Sequence, residues 1–388
     1  MATVVLVITV LSLIIWIGLL SLRGQFWRSD QQLEVAEIPL HSLPRICAVI
    51  PARNEAELLP ITLRSLLLQD YPGDFNVFLV DDRSTDGTAD FAQGVAYALN
   101  KPNQLHIISG KSLPPGWSGK LWAVEQGIQL ATDFAPDYFL LTDADIEHDS
   151  RSLRRLVAKA EQEDLDMVSV MVRLRCQSFW EQLLIPAFVF FFQKLYPFRW
   201  VNHPKNSTAA AAGGSILIRK QALEKIGGFG VIRQALIDDC ALAKAVKGEG
   251  GKGRIWLGLS ALTRSLRPYP DLRTVWQMVA RTAYTQLNYS PLLLVGTVLA
   301  MTLIYLIPPF ATIFGALTFN LAIALLGLSA WLLMSLAYYP TIRFYKCPAW
   351  LAFCLPAIAF LYTLMTVDSA IRHWQGRGGA WKGRVYPG

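Results

Sequence analysis

Apolar and polar positions divide the 388-residue chain into three parts. The first part, residues 1–22, carries no charged side chain, and its apolar run has about the length of the roughly 20 residues that a bilayer-spanning helix needs. The middle part, about 45–275, alternates short apolar runs with amphipathic stretches. In the last part, no Asp, Glu, Lys, Arg or His occurs between Arg281 and Arg343. The pattern predicts a membrane protein with one large polar domain.

The uncharged stretches predict four membrane segments. The first is an N-terminal anchor over residues 1–23, and three more lie at 292–315, 320–339 and 347–367, within a C-terminal membrane region of 290–367. A buried core helix is the alternative for any one of the last three, but three in series with Trp and Tyr near their ends favour membrane. A signal peptide is the alternative for the first, although it would begin with basic residues, and here Arg23 and Arg28 follow the apolar run.

Basic residues set the expected orientation. They follow the first span and precede the second: Arg23, Arg28, Arg264, Arg267, Arg273 and Arg281. Because basic loops stay inside, the domain is expected to face the cytoplasm from the inner (cytoplasmic) membrane. Four full spans would leave the basic tail, 368–388, outside, so either the rule yields here or one segment is re-entrant. The net charge of +7 suits an anionic leaflet or anionic substrates better than nucleic acid.

The middle part predicts an α/β fold. The runs "RICAVIPARNE", "FNVFLVDDRSTDG" and "DYFLLTDAD" read as strands, with helical segments between them, which favours a mostly parallel sheet covered on both faces. In such sheets ligands bind beyond the carboxyl ends of the strands. Polar clusters follow three of these strands: Arg53-Asn54-Glu55, Asp81-Asp82 and Asp143-Ala144-Asp145. Three clusters at one edge predict a site.

The acidic pairs suggest the chemistry of that site. Asp143 and Asp145 can share a divalent cation, and their oxygen ligands suit Mg²⁺ or Mn²⁺, although a D-x-D sequence is also typical of a solvated turn. Carboxylates such as Asp82 can accept hydrogen bonds from ribose hydroxyls or a base N–H. Asp238 and Asp239 open a predicted helix, where they either stabilise its first turn or provide a general base.

Six motifs in order resemble family 2 glycosyltransferases with the GT-A fold. They are "VIPARNEAELLPITLRSLL", "LVDDRSTDGTAD", "GWSGKLWAVEQG", "LLTDADIEHDSRSL", "AAGGSILIRKQALEKIGGFG" and "IDDCALAKAVK". The GT-A domain would cover about 45–285. With its membrane segments and "WKGRVY" near the end, the layout is most similar to the hopene-associated glycosyltransferases, and more distantly to ceramide glucosyltransferase. The resemblance implies a nucleotide-sugar donor, with a preference for UDP, and a lipid acceptor.

The resemblance also implies a role for each motif residue. The donor-binding residues would be Arg53, Glu55, Asp81, Asp82, Lys120, Asp143, Gly213, Gly214 and Arg281. Asp145 would hold the metal with Asp143, and Asp239, next to Asp238, would be the base. A solvated surface position is the alternative for Lys120.

One motif of the family departs from its pattern in this chain. Where relatives carry Gln-x-x-Arg-Trp, Arg281 can stand in for the arginine, but Met278 replaces the glutamine and Thr282 the tryptophan. Because that tryptophan helps to hold an acceptor sugar, the sequence predicts transfer of a single sugar rather than polymerisation.

The predicted reaction is inverting transfer to a lipid hydroxyl, and the resemblance implies a place in hopanoid metabolism. Residues 179–200 hold an uncharged run too short to span, which predicts an interfacial helix, with a core helix as the alternative. Two other functions stay open. One is a nucleotidyltransferase, which would need no acceptor base, and the other is a catalytically inactive membrane scaffold, which would tolerate loss of the acidic pairs.

Overall fold

The computed structural model describes residues 2–34, 40, 42–248, 252–377, 380–381 and 384–385. Its strands are β1 Ile46–Ala52, β2 Phe75–Asp81, β3 Leu105–Ser109, β4 Tyr138–Thr142, β5 Ile146–Glu147, β6 Met167–Arg173, β7 Ser215–Arg219, β8 Ile255–Ser265, β9 Ala380–Trp381 and β10 Arg384–Val385. Residues 382, 383 and 386 of the motif "WKGRVY" lie outside the described residues, as do residues 378, 379, 387 and 388 of the predicted basic tail.

Fourteen α-helices are formed by the described residues: α1 Ala2–Leu22, α2 Leu59–Leu67, α3 Thr88–Ala98, α4 Gly119–Ala131, α5 Ser152–Gln162, α6 Phe179–Leu195, α7 Phe198–Val201, α8 Lys220–Lys225, α9 Asp238–Lys247, α10 Leu272–Ala280, α11 Pro291–Met301, α12 Ile307–Leu317, α13 Leu321–Phe344 and α14 Leu355–Trp374. A π-helical turn, Thr302–Leu306, joins α11 to α12.

An eight-stranded sheet with the order β3-β2-β1-β4-β7-β6-β8-β5 forms the centre of the polar domain. Strands β3, β2, β1 and β4 are parallel, as the alternation of strands and helices predicts, and β6 is parallel to β8. Strand β7 runs antiparallel to both β4 and β6, and β5 runs antiparallel to β8. The sheet is therefore mixed, with its parallel half made by the first four long strands.

Alternating side chains of the central strands pack into separate cores on the two faces of the sheet. In β4, Phe139 and Leu141 contact the core that includes α4, whereas Tyr138 and Leu140 contact the core under α2 and α5. All seven residues of β1 are buried. Burial on both faces explains why these strands are continuous apolar runs in the sequence.

Four segments of the described chain are long and apolar enough to cross a membrane: Ala2–Leu22, Pro291–Leu317, Leu321–Phe344 and Ala349–Trp374. The first of these packs against the π-helical turn. Ser12 donates a hydrogen bond to the carbonyl of Leu303 at 2.8 Å, and Trp16 donates one to the carbonyl of Ile304 at 2.8 Å. The turn thus provides main-chain acceptors for polar groups that would otherwise lack partners in an apolar layer.

Helix α14 lies along the polar domain rather than away from it. Before α14, the carbonyl of Tyr345 accepts a hydrogen bond from Arg173 at 2.9 Å. In its middle, the Tyr362 hydroxyl donates to a carbonyl of α6 at 2.9 Å, and near its end Asp368 accepts from Trp276 of α10 at 2.6 Å. The segment before α14 and the C-terminal part of α14 therefore both contact the polar domain. The number of membrane spans and the side on which the residues after α14 lie stay predictions.

Helix α6 occupies the segment predicted to be interfacial. Its buried residues include Phe190, which packs against Phe26 and Tyr338. Its two terminal residues, Phe179 and Leu195, are 64% and 45% exposed. One face of α6 is thus a core face between the sheet domain and the membrane segments, as in the alternative considered for it. Contact of these exposed ends with lipid stays a prediction.

Candidate active site

The predicted site residues gather at the carboxyl edge of the sheet. A cavity of about 1150 Å³ opens there, and the predicted residues that line it are Glu55, Lys120, Asp143, Asp145, Gly213, Gly214, Asp238, Asp239 and Arg281. Arg53, Asp81 and Asp82 lie outside this lining, at the adjoining ends of β1 and β2. The sheet edge at which the strand ends predict a site therefore borders a cavity lined in part by acidic residues.

The loops after β1 and β2 are bonded to each other beside the cavity. Asn54 donates its main-chain N–H to the Ser84 hydroxyl at 2.9 Å and accepts from the N–H of Thr85 at 2.9 Å. Arg53 donates to the carbonyl of Asp82 at 2.8 Å, while its buried Nε has no hydrogen-bond partner among the described atoms. This unused donor suits a ligand with acceptor atoms.

Asp81 and Asp82 differ in their surroundings. The Asp81 carboxylate accepts the main-chain N–H of Ser84 at 3.0 Å, so it stabilises the turn after β2. Asp82 is only 2% exposed and lies 3.7 Å from a guanidinium nitrogen of Arg53. Both contacts organise the loop and leave the predicted nucleotide contacts of these residues as predictions.

Lys120 holds two carboxylates from distant parts of the chain. It lies in the first turn of α4, whose N-terminus is capped by Ser118, and its Nζ is 3.0 Å from Asp143 and 3.1 Å from Asp238. Burial lowers the pKa of Lys120, but the carboxylates of Asp143 and Asp238 outweigh that effect, and the net pKa is raised. The amine therefore stays charged and is not the solvated surface lysine of the alternative interpretation.

Asp239 lies next to this cluster and has two main-chain donors. Its Oδ2 accepts the N–H of Gly213 at 2.9 Å and its Oδ1 accepts the N–H of Cys240 at 2.7 Å. Burial raises the pKa of Asp239 to about 6, and the charge of Asp238 adds to the rise, whereas Lys120 opposes it. The carboxylate contributes to the first turn of α9, and it also has a pKa that suits a general base near neutral pH.

Gly213 and Gly214 meet different surroundings. A side chain at Gly213 would reach 3.5 Å from Oδ2 of Asp239 and 3.6 Å from Nζ of Lys120, inside the cavity. A side chain at Gly214 would lie 2.9 Å from a methyl group of Val172, where a neighbour must shift. Gly213 thus keeps space open beside the reactive groups, and Gly214 permits tight packing behind them.

Arg267 is a residue that the sequence did not single out for this site. Its Nε lies 2.7 Å from Asp145 and its Nη2 lies 2.7 Å from Glu55, and these two carboxylates are 7% and 8% exposed. Burial lowers the pKa of Arg267, but Asp145 and Glu55 outweigh it and the net pKa is raised. The pairing of β5 with β8 brings Arg267 to this place, and no local sequence signal shows that pairing.

The predicted metal ligands fit a divalent ion that binds together with phosphate. Asp143 and Asp145 present carboxylate oxygens to the cavity, and Mg²⁺ or Mn²⁺ needs only one or two carboxylates when substrate phosphates complete its shell. Within the described parts of the chain, no group of three or more His, Cys, Asp or Glu side chains could hold a metal ion. In this structure, the two carboxylates contact Lys120 and Arg267 instead.

The side of the cavity next to α10 and the end of α14, here called the membrane end because these helices pack with the membrane segments, is formed largely by residues that the sequence did not single out. Arg281 and Met278 line it, as do Arg372, His373 and Arg377 from the end of α14 and beyond. The family's tryptophan position, Thr282, does not line it. Arg281 was among the predicted site residues, whereas Arg372 and Arg377 were predicted only as part of a basic tail, because the contact of α14 with α10 cannot be read from an apolar segment.

Comparisons with known proteins agree with this geometry. Residues 47–227 match the family model described as Glycosyl transferase family 2. The match supports a family 2 glycosyltransferase domain. It includes Asp143, Asp145 and Lys120, whereas Asp239 and Arg267 lie beyond the matched residues.

Two individual proteins are similar to this chain. Undecaprenyl-phosphate mannosyltransferase from Micrococcus luteus is 32% identical over 122 residues, which are 31% of this chain and 46% of that protein. A mannosyltransferase from Pyrobaculum calidifontis, solved in complex with GDP-Man and Mn²⁺, is 18% identical, covers 95% of this chain and 98% of its own, and has a TM-score of 0.54. The similarity to the Pyrobaculum calidifontis protein shows a shared fold.

The predicted fold, a GT-A α/β domain with membrane helices, is confirmed by these comparisons. They also support the prediction of a glycosyltransferase enzyme. The narrower resemblance to hopene-associated glycosyltransferases and to ceramide glucosyltransferase stays a prediction, as do the roles of the individual residues.

Proposed function

We propose that this protein transfers a single sugar from a nucleotide sugar to the hydroxyl of a membrane lipid, with inversion at the anomeric carbon. The observation that carries the proposal is the composition of one cavity. Asp239, Lys120 and the Asp143–Asp145 pair line it, and so do residues of α6, α10 and the end of α14, which pack against membrane segments. Donor and acceptor thus reach one place from two different phases.

The donor would occupy the acidic end of the cavity, around Asp143 and Asp145, which is called the donor end below. The loops after β1 and β2 would hold the nucleotide, with the buried Nε of Arg53 as an available donor. Asp143 and Asp145 would hold Mg²⁺ or Mn²⁺, which when bound offsets negative charge on the diphosphate. Lys120 and Arg267 already contact these carboxylates, so a diphosphate placed there would meet both cations.

Asp239 would accept the proton of the acceptor hydroxyl. The acceptor oxygen would form a bond to the anomeric carbon while the bond from that carbon to the diphosphate breaks, and the nucleoside diphosphate would leave with the electron pair. Since the pKa of Asp239 is about 6, the carboxylate is ionised at neutral pH and ready to take a proton. Its neighbour Asp238 is paired with Lys120, which leaves Asp239 as the base and supports inversion without a covalent intermediate.

The identities of sugar and lipid follow from resemblance rather than from geometry. The sequence motifs favour a UDP-sugar and a hopanoid-related acceptor, whereas the printed names of the similar proteins mention mannose, GDP-Man and an undecaprenyl phosphate. Both donor classes therefore belong in the first assay. The missing tryptophan at Thr282 supports addition of one sugar.

The test uses membranes that contain the overexpressed protein, Mn²⁺ or Mg²⁺, and radiolabelled UDP-sugars and GDP-mannose. We expect label in an organic-extractable lipid with wild type, and its loss in Asp239→Asn and Asp145→Ala. Asp133→Asn is the matched control, because Asp133 is exposed just before β4, at the opposite edge of the sheet. Absence of lipid label with every donor would contradict the proposal, and release of pyrophosphate would favour a nucleotidyltransferase.

A further inference from the structure

Cationic side chains collect at the membrane side of the cavity. Arg372, His373 and Arg377 line the same cavity as Asp239, and they come from the C-terminal end of α14 and the residues just after it. The carboxylate beside them is Asp368, which pairs with Arg372 at 2.6 Å and also accepts a hydrogen bond from Trp276 at 2.6 Å. In the described part of the chain, Arg377 has no carboxylate within 4.0 Å.

A surface groove meets the cavity at this cationic end. The groove has a volume of about 530 Å³ and is lined by Leu272, Arg273, Trp276, Gln277 and Arg372. Gln277 and Arg372 line both the groove and the cavity, so the two spaces adjoin there. The walls of the groove combine apolar surface with arginine, which is the composition that an amphiphile needs.

The surroundings place this end at the membrane surface. Trp374 is 59% exposed and Ile371 is 41% exposed beside the arginines, and Leu292, at the start of α11, is 80% exposed. Tryptophan and arginine next to exposed aliphatic side chains are typical of the boundary between lipid headgroups and acyl chains. Basic pockets between membrane helices at this depth bind anionic headgroups.

We propose that the groove between α10 and α14 binds a phosphorylated lipid, with its phosphate held by Arg372 and Arg377 and its chain on Leu272 and Trp276. Guanidinium groups present paired N–H donors that match phosphate oxygens. Arg377 has no carboxylate partner in the described part of the chain, and Arg372, which is paired with Asp368, has further N–H donors for an anion. The inference rests on the proposed function, because it makes this lipid the acceptor. The phosphate then fixes the lipid while its reacting oxygen extends toward Asp239.

The experiment measures binding rather than transfer. Isothermal titration of the full chain in a neutral detergent compares dodecyl phosphate, dodecanol and inorganic phosphate, all without nucleotide sugar. We expect dodecyl phosphate to bind at least about tenfold more tightly than either of the other two, because it alone combines charge-assisted hydrogen bonds to the arginines with burial of an alkyl chain. Equal binding of inorganic phosphate would overturn the assignment to a lipid, and equal binding of dodecanol would overturn the role of phosphate.

Substitutions separate this site from general attraction to a basic surface. Arg377→Gln and Arg372→Gln should each weaken binding of dodecyl phosphate about tenfold or more, and Arg372→Lys should weaken it less. The matched control is Arg343→Gln, because Arg343 is exposed near the end of α13 and does not line the cavity or the groove. Equal weakening in the control, or none in the Arg377 variant, would overturn the proposal.

Two further measurements distinguish failure of the phosphate site from failure of folding and from failure of the proposed reaction. Arg372 is paired with Asp368, so the thermal unfolding temperature without ligand shows whether Arg372→Gln affects folding, whereas Arg377 has no such pair to lose. Binding that depends on the arginines, together with no sugar transfer in the membrane assay, would refute the proposed reaction and leave the phosphate site standing. Transfer without arginine-dependent binding would refute the site alone.

Discussion

The two ends of the cavity differ in how their charges are balanced. At the donor end, Asp143 and Asp238 share Lys120, and Glu55 and Asp145 share Arg267. At the membrane end, several arginines face a single neighbouring carboxylate, Asp368, in the described structure. The first end has four carboxylates for two cations and keeps an excess of negative charge, whereas the second carries an excess of positive charge.

This difference indicates how each end would meet its ligand. A metal and a diphosphate entering the donor end bring opposite charges, so Lys120 and Arg267 can move from carboxylates to phosphate oxygens while the metal replaces them. No such exchange is needed at the membrane end, where Arg377 lacks a carboxylate partner among the described residues. We therefore expect substitutions at the donor end to change both stability and metal response, and those at the membrane end to change binding.

The largest expected effect comes from Asp239→Asn. Loss of a general base lowers the turnover number by about 10²–10⁴-fold, while binding of a nucleoside diphosphate should be unchanged. Initial rates at saturating donor, with titration of nucleoside diphosphate, measure the two quantities separately. Full turnover in this variant would place the base elsewhere, and a normal rate in Asp133→Asn serves as the control.

The next effect concerns the ion pairs of Arg267. Arg267→Gln removes the cation shared by Asp145 and Glu55, which should cost about 2 kcal/mol in EDTA, less than the roughly 3–5 kcal/mol of a fully buried pair because Arg267 is partly exposed. Mn²⁺ should then raise the unfolding temperature more in the variant than in wild type. Arg264→Gln is the control, because Arg264 pairs with Glu147 at the surface. Equal shifts of the unfolding temperature with Mn²⁺ in the variant and in wild type would contradict a position of Arg267 beside the metal site.

A smaller effect is expected in the pH dependence. Asp239 must be ionised to act as a base, so kcat/KM should fall on the acid side with a midpoint near its pKa of about 6. Because the charge of Asp238 contributes to raising that pKa, Asp238→Asn should move the midpoint to lower pH, by less than about one unit. A midpoint that moves upward, or does not move, would show that another group controls the acid limb.

The sequence was sufficient to bring the acidic residues and Lys120 of the donor end together, but not to place Arg267 among them. The strands before Arg53, Asp81 and Asp143 are apolar runs that end abruptly in charged residues, and parallel strands bring such ends together. Lys120 came from a motif, and its contacts with Asp143 and Asp238 are those of a residue inside the site. The apolar runs in the sequence and the parallel order of the strands are enough to bring these residues together.

The rest of the cavity depends on contacts that no local pattern encodes. Arg267 reaches Asp145 across 122 positions through the antiparallel pairing of β5 with β8. Arg372 reaches the cavity because α14 lies along α10, and an apolar helix of 20 residues has the same composition whether it crosses a membrane or lies along a domain. The polar contacts of Trp276 with Asp368 and of Tyr362 with a carbonyl of α6 hold α14 in this position.

The most direct test of the central claim follows the label of a radiolabelled nucleotide sugar in a single-turnover reaction of the purified chain with native lipids. The proposed function predicts that label moves into the organic phase, with one nucleoside diphosphate released for each sugar transferred. Asp239→Asn should leave the label in the aqueous donor. Release of nucleoside diphosphate with free sugar in water, and none in lipid, would contradict a lipid glycosyltransferase.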